Sequence, residues 1–258
     1  MKQELKICVT QLNQLWEDKA GNVKHFTEML AKVEGVDLII LPEMFATAFS
    51  MNASELAEDM ADSESLNWLK KLAAEKNAAI YTSCIIKESN CYFNRGVFVE
   101  PSGKIHTYDK RKTFSLAGET DIFTAGKEEV IVEYLGWKIN LQICYDLRFP
   151  ELVRNSIVDG LPRYDLILYV ANWPERRIEH WKTLLKARAI ENQCFVVGVN
   201  RVGTDNTGLN YCGDSNVITA LGDTLASFRV NTEQIESVLI SLQDLTKVRK
   251  NLPFLHDL

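Results

Sequence analysis

Gly136-Trp-Lys-Ile-Asn-Leu-Gln-Ile-Cys-Tyr-Asp-Leu-Arg-Phe-Pro-Glu151 is the stretch from which the rest of the chain is best read. Ile139, Leu141 and Ile143 give it the apolar pattern of a buried strand. At Cys144 the character turns polar, and Phe149-Pro150-Glu151 reads as the first turn of a helix running to about Asp159, since proline is tolerated there. A cysteine between a strand and a helix sits on a sharp turn with its sulfur exposed, and a nearby helix N-terminus favours the thiolate. That placement suits a nucleophile. The competing reading is core filler, because cysteine is among the most buried residue types.

Composition sets the outer bounds. The chain has 258 residues, enough for one large domain spanning 1–258 with a substantial core. It is 46% hydrophobic and 25% charged, as soluble globular proteins are. A formal net charge of -6 argues against nucleic acid as the main partner. An anionic substrate would have to be drawn by a local Arg or Lys, not by the global field. The six cysteines form no Cys-x-x-Cys pair, which disfavours zinc ribbons and thioredoxin-type motifs. The N-terminus has no long apolar core of a signal peptide, and no apolar run approaches membrane-spanning length. The expectation is a reduced, cytoplasmic, soluble protein with no membrane partner.

Outward from the central stretch, strands and helices alternate. Leu5 to Gln11 reads as a strand, and Val23, Phe26, Leu30 and Val33 mark one face of a helix closed by Gly35. Val36 to Leu41 is an apolar run ending in Pro42-Glu43, the pattern of a strand covered on both faces. A helix from Asp62 or Ser63 to Asn77 precedes the strand Ala78–Ile86, and Cys91–Glu100 with Lys104–Tyr108 forms a hairpin around Pro101-Ser-Gly103. Val130–Tyr134 pairs with the central strand. Beyond it come the strand Tyr164–Ala171, a helix from about Arg176 to Asn192 and the strand Cys194–Asn200. A Gly- and Asn-rich loop from Val202 to Asn210 leads to a hairpin over Ser215–Arg229 and an edge strand Ile235–Ile240. The tail after Leu245 carries Leu252, Phe254 and Leu255, apolar enough to dock on another surface. Hairpins interrupting a strand–helix alternation predict an α/β fold of two stacked mixed sheets with helices outside.

Chemistry gathers at three separated points. Glu43 and Cys144 each lie at the carboxyl end of a predicted strand, where open α/β sheets hold ligands. A Glu can serve as general base toward the thiol and later toward a water. Lys110, from Tyr108-Asp-Lys110, can lower a nearby thiol's pKa and stabilise an oxyanion, with the backbone N–H of Tyr145 as second donor. Such a trio performs acyl transfer through a thioester.

Leu41-Pro-Glu-Met-Phe45, Tyr108-Asp-Lys110 with Phe114, and Cys144-Tyr-Asp-Leu-Arg-Phe-Pro150 resemble the three signature blocks of the nitrilase (carbon–nitrogen hydrolase) superfamily, in order across the whole chain. The resemblance implies a four-layer α-β-β-α sandwich with two mixed sheets. It also implies a Glu-Lys-Cys triad of Glu43 (general base), Lys110 (oxyanion stabiliser) and Cys144 (nucleophile), with Glu119 of Gly118-Glu119 in support. Val170-Ala-Asn-Trp-Pro174, His180-Trp181, Ala187-Arg-Ala-Ile-Glu-Asn-Gln193 and Gly213-Asp-Ser215 make the chain most similar to the bacterial omega-amidase branch. That branch cleaves the terminal amide of 2-oxoglutaramate or 2-oxosuccinamate to the 2-oxo diacid and ammonia, with no cofactor or metal. The superfamily's habit of pairing implies a homodimer. Two departures stand out: Lys112 occupies a position where many members carry histidine and rivals Lys110, and Phe49 falls where some omega-amidases place a substrate-facing tyrosine.

A 2-oxo acid amide also carries a carboxylate. Arg148 and Arg177 are candidates to bind it, since an Arg fork matches a carboxylate. For Arg148 the alternative is an ion pair with Asp146 or a glutamate; Arg177 is slightly favoured. Trp173 either walls the pocket or packs in the core. A papain-like protease would need a His base and its own local signature, and a metallohydrolase would need a ligand cluster that the chain lacks. The remaining rivals are an N-carbamoyl or aliphatic amidase of the same superfamily and a catalytically silent module on this fold.

Overall fold

The computed structural model describes residues 2–257. Two mixed sheets stack face to face. Strands β1 (Glu4–Gln11), β2 (Leu38–Ile40), β3 (Ala79–Glu88), β4 (Cys91–Val99) and β5 (Ile105–Asp109) belong to the first. Strands β6 (Ile131–Tyr134), β7 (Trp137–Ile143), β8 (Leu166–Ala171), β9 (Phe195–Asn200), β10 (Asn216–Ile218) and β11 (Thr224–Ser227) make the second, and β12 (Gln234–Ser241) returns to the first. The first sheet runs β12-β1-β2-β3-β4-β5 and the second β11-β10-β9-β8-β7-β6. In each the central strands are parallel and the flanking ones antiparallel.

The parallel strands are buried on both faces, which is why β2, β8 and β9 read as unbroken apolar runs. Their inner faces, with Leu5, Ile7 and Ile40 against Leu141, Leu168 and Val197, close the inter-sheet core. Helices α1 (Lys19–Leu30) and α2 (Glu64–Lys76) cover the outer face of the first sheet through Phe26, Leu30, Leu66 and Leu69. Helix α3 (Ile178–Asn192) covers the second through Trp181, Leu185 and Ala189. The order of layers is α-β-β-α. The close approach of α3 requires Gly198: a Cβ there would lie 2.4 Å from Leu185 Cδ1 and 2.8 Å from Trp181 Cζ2.

Most element ends follow their local chemistry. Ser63 caps α2 by accepting from Leu66 N, and Asn77 closes it in the left-handed conformation. Three expectations are corrected. Helix α1 ends at Leu30 with Ala31 as its cap, so Val33 and Gly35 lie beyond it in the connection to β2. The Val202–Asn210 segment is a hairpin, with Val202–Thr204 pairing Asn210–Cys212. No helix forms over Phe149–Asp159. Short 3-10 turns at Cys144–Arg148 and Pro150–Leu152 lead into a small hairpin, Ile157–Val158 with Leu161–Pro162. One side chain and one turn explain the loss. Asn155 competes for backbone, donating to Tyr164 O and Asn192 O and accepting from Ser156 N and Arg163 N. Asp159-Gly160, both at positive φ, form the tight turn.

The tail forms α4 (Leu242–Asn251) and docks on its own chain: Leu245 and Leu255 are buried, and Arg249 reaches Asp165 at 2.7 Å. Among the described residues no helix is long and apolar enough to cross a membrane.

Candidate active site

Four strand ends converge between the sheets. Glu43 follows β2, Lys110 follows β5, Cys144 follows β7 and Asn172 follows β8. Glu43 and Lys110 come from one sheet, and Cys144 and Asn172 from the other. Cys144 has φ +44 and Met44, next to Glu43, has φ +47; non-glycine residues in this region mark backbone held by its surroundings. For Met44 the hold is a bond from its N–H to Ser83 Oγ at 2.9 Å.

Lys110 Nζ donates to Glu43 Oε1 and to both Glu119 oxygens, each at 2.9 Å, and all three side chains are buried. Burial opposes the ammonium, but the Glu119 and Glu43 carboxylates outweigh it and hold Lys110 above its usual range. The cluster is held from outside by Asn94, whose Nδ2 donates to Glu43 Oε1 at 2.8 Å and Glu119 Oε1 at 3.1 Å. Phe114 N–H donates to Glu119 Oε2, and Asn172 N–H to Glu43 Oε2 at 2.9 Å. Gln14 and Asn172 side chains clamp the Glu43 carbonyl at 2.9 and 2.7 Å.

Cys144 is half-buried at the wall of a pocket of about 310 Å³ that Lys110, Phe49, Tyr145 and Trp173 also line. Here the expected thiolate is corrected. Burial, and next the Glu43 carboxylate, push the Cys144 thiol well above its ordinary value, and the opposing pull of Lys110 is smaller. The helix N-terminus that would have favoured the anion is absent, replaced by the five-residue 3-10 turn. The resting residue is a thiol, with its Sγ 4.0 Å from the Asn172 carbonyl oxygen. Tyr145 N–H lies in the first turn of that segment, where amides have no partner within the turn.

The proposed ion pair of Arg148 with Asp146 does not form. Asp146 is turned inward, accepting from Ile143 N, Lys112 N and Tyr108 Oη. Arg148 instead lies 4.7 Å above the Trp173 ring and meets His180 Nδ1 at 3.2 Å. Arg177 sits 5.3 Å from the Phe114 ring centroid and is not among the arginines that form ion pairs in the described residues. Burial, then Arg176, lower its pKa, the mark of a cation without a counter-ion. Both arginines line the pocket, and so does Arg176, which the sequence reading did not single out. Trp173 does both things weighed for it: it lines the pocket and packs on Trp181 at 5.5 Å. The Phe49 ring lies 5.2 Å from Lys110 Nζ and offers no hydroxyl. Lys112 is outside the cluster, half-exposed, over the Phe149 ring and 3.9 Å from Glu151.

Of the histidines, His25 and His106 pair with Glu233 and Glu100, and none lines the pocket. Among the described residues no group of three His, Cys, Asp or Glu side chains is arranged to hold a metal.

A family model for carbon-nitrogen hydrolases matches residues 6–250. The chain belongs to the carbon–nitrogen hydrolase family. Within it, the chain is 42% identical over 253 residues to omega-amidase YafV of Yersinia enterocolitica, covering 98% of this chain and 96% of that protein. It is 34% identical to the 2-oxoglutaramate amidase of Bacillus subtilis, over 86% and 85% of the two chains. Among solved structures, a CN-hydrolase superfamily protein of Xanthomonas campestris superposes with a TM-score of 0.96 at 42% identity, over 98% of this chain and 97% of that one. That protein carries an arsenic adduct in its active site. The family's two-sheet architecture is the one described above, so the expected fold class holds.

Proposed function

We propose that the chain is an omega-amidase, hydrolysing the terminal amide of 2-oxoglutaramate or 2-oxosuccinamate to the 2-oxo diacid and ammonia. The observation that carries the reading is the buried Lys110–Glu43 contact beside a half-buried Cys144, in a pocket whose wall holds arginines without acid partners. The likeness to omega-amidase YafV and to 2-oxoglutaramate amidases supports the substrate class.

In this reading Glu43 takes the Cys144 proton as the sulfur attacks the amide carbon. The C–O π electrons move to the oxygen, where Lys110 Nζ and Tyr145 N–H stabilise the charge. The oxyanion collapses, the C–N bond breaks, and the proton on Glu43 goes to the nitrogen, releasing ammonia and leaving a thioester. Water then attacks the thioester as Glu43 takes its proton. Collapse frees the carboxylic acid, and Glu43 returns its proton to the sulfur. Glu119 keeps Lys110 charged and in place throughout. Arg177 binds the substrate's own carboxylate, with Arg148, Phe49 and Trp173 shaping the pocket around it.

The same reading makes the protein a cytoplasmic homodimer, acting as one domain over residues 1–258 on a small acid amide and water, without cofactor, nucleic acid or membrane. A net charge of -6 supports the absence of a nucleic-acid partner, and the exposed apolar side chains Val158, Leu161 and Phe254 support the pairing. Light scattering at micromolar concentration checks the dimer; a monomer mass contradicts it.

The test of the activity is ammonia release from 2-oxoglutaramate beside an N-carbamoyl amino acid and a simple aliphatic amide. Preference for 2-oxoglutaramate by at least about tenfold in kcat/KM supports the reading. Preference for either other substrate moves the chain to another amide-hydrolysing member of the family.

A further inference from the structure

Asp146 is buried, lies two residues after the nucleophile, and has no place in the reaction described above. Its carboxylate is filled with donors from both sheets. Oδ2 accepts from Ile143 N at 3.0 Å, at the end of β7, and from Tyr108 Oη at 2.8 Å, on β5. Oδ1 accepts from Lys112 N at 2.9 Å, two residues beyond Lys110. Cys144 and Lys110 hang from different sheets, and among the described contacts Asp146 joins the turn carrying one to the loop carrying the other.

We propose that Asp146 is a positioning residue: as an anion, it ties the Cys144 turn to the Lys110 loop and so fixes the nucleophile against the lysine and Glu43. The inference rests on the amidase reading only for the identity of the substrate. Three donors aimed at one carboxylate need an acceptor at every approach. A protonated carboxyl adds an O–H donor and is a poorer acceptor, so at least one of the three bonds weakens or reverses. With the Ile143 or Lys112 bond weakened, the Cys144 turn and the Lys110 loop lose part of their shared tether, and the unfavourable backbone conformation of Cys144 is less firmly held.

The titration is placed within reach of experiment. Burial pushes the Asp146 carboxyl up to about 6, against the pull of Lys110 and the bonds from Ile143, Tyr108 and Lys112. The other ionisable groups facing it are Tyr81, Tyr108 and Tyr169, all raised well above their ordinary value by burial, and Arg111, which bonds Tyr108 Oη at 3.4 Å. The raised tyrosines keep their protons between pH 5 and 8, so a break near 6 that disappears in Asp146→Asn is assigned to Asp146.

The experiment compares wild type, Asp146→Asn and Tyr108→Phe by two readouts between pH 5 and 8. One is steady-state ammonia release. The other is the rate of Cys144 alkylation by iodoacetamide, followed by peptide mass spectrometry, which needs no amide substrate. Both are normalised to folded protein by circular dichroism. In wild type both rates fall as pH drops through about 6. Asp146→Asn lowers kcat about 10- to 100-fold with KM within about twofold, and loses the break near 6 in alkylation. Tyr108→Phe removes a bond that favours the anion, so its break moves to higher pH by about half a unit or more. That second variant decides the matter should Asp146→Asn not fold. An unchanged alkylation profile in either folded variant, or a kcat loss in Asp146→Asn matched by loss of folded protein, overturns the proposal. A wild type that releases no ammonia but keeps the alkylation break would sink the amidase reading and leave the role of Asp146 intact.

Discussion

Lys110 Nζ donates to Glu43 Oε1 at 2.9 Å with neither side chain reaching solvent, and both Glu119 oxygens also lie 2.9 Å from it. One buried cation thus sits between two buried carboxylates. Such a cluster tolerates no missing member: removing one partner of a buried pair costs about 3–5 kcal/mol, because the remaining charge has no compensation. Lys110→Met is therefore predicted to lower Tm markedly and kcat by about 10²–10³-fold, the loss expected for a missing oxyanion donor. Asn94→Leu, which leaves the charges but frees both carboxylates from their bridging amide, should cost about 1–3 kcal/mol. Thermal melts with steady-state rates check both. A Lys110→Met protein of wild-type Tm would contradict the buried-cluster account.

The Cys144 thiol is pushed up by burial and by Glu43, so in the proposed mechanism its reactivity comes from Glu43 accepting the proton and not from a resting thiolate. Glu43→Gln is predicted to slow alkylation of Cys144 by at least about tenfold at pH 7.5, although it removes a negative charge and so eases thiolate formation. Exposed Cys91 serves as the internal reference, and Cys8, whose buried thiol is pushed up to about 12, should stay unlabelled. Faster labelling in Glu43→Gln would show that the thiolate, not the base, governs reactivity.

Arg177 lacks a counter-ion, whereas Arg148 is engaged by His180 and the Trp173 ring. A charge-assisted bond to a substrate carboxylate contributes about 1.5–3 kcal/mol, so Arg177→Ala should lower kcat/KM about 10- to 100-fold, mainly through KM. Arg148→Ala should lose less. The test is kinetics on 2-oxoglutaramate beside an amide lacking the carboxylate, on which Arg177→Ala should behave like wild type. Equal losses on both substrates would move the carboxylate contact elsewhere.

The pH dependence of stability runs opposite to that of activity for one group. Asp146 is raised from 3.8 to about 6, so its folded form binds a proton more tightly than its unfolded form. Its contribution to stability is complete below pH 3.8 and is lost as pH rises through about 6. The span is about 2 pH units, or roughly 3 kcal/mol. Wild type minus Asp146→Asn, measured by denaturant unfolding, should therefore become more favourable from pH 8 to pH 5. A difference independent of pH would show that Asp146 titrates normally.

Much of this was legible in the chain. The unbroken apolar runs that became β2, β8 and β9 announce strands buried on both faces, and Ser63 and Asn77 announce the ends of α2. Glu43 and Cys144 stood out because each follows a strand, where a sheet delivers side chains to one crevice, and Lys110 stood out through the likeness of Tyr108-Asp-Lys110 to a family block. What was missed depends on contacts between distant segments. Asn155 replaced a helix with turns by bonding Tyr164 O and Asn192 O, partners that no local pattern reveals. Asp146 was weighed against Arg148 because they are neighbours in sequence; its donors come from β5, β7 and the Lys112 loop. Asn94 carried one available signal, an amide within an apolar strand, which asks for a buried partner. The missing helix also removed the dipole on which a resting thiolate was premised.

The central claim is an acyl-enzyme on Cys144. Acid-quenching wild-type protein within milliseconds of mixing with 2-oxoglutaramate, followed by intact mass spectrometry, reads it directly. The account predicts a species heavier by the substrate less ammonia, located on the Cys144 peptide and absent from Cys144→Ala. Ammonia release by the Cys144→Ala protein at the wild-type rate would contradict it.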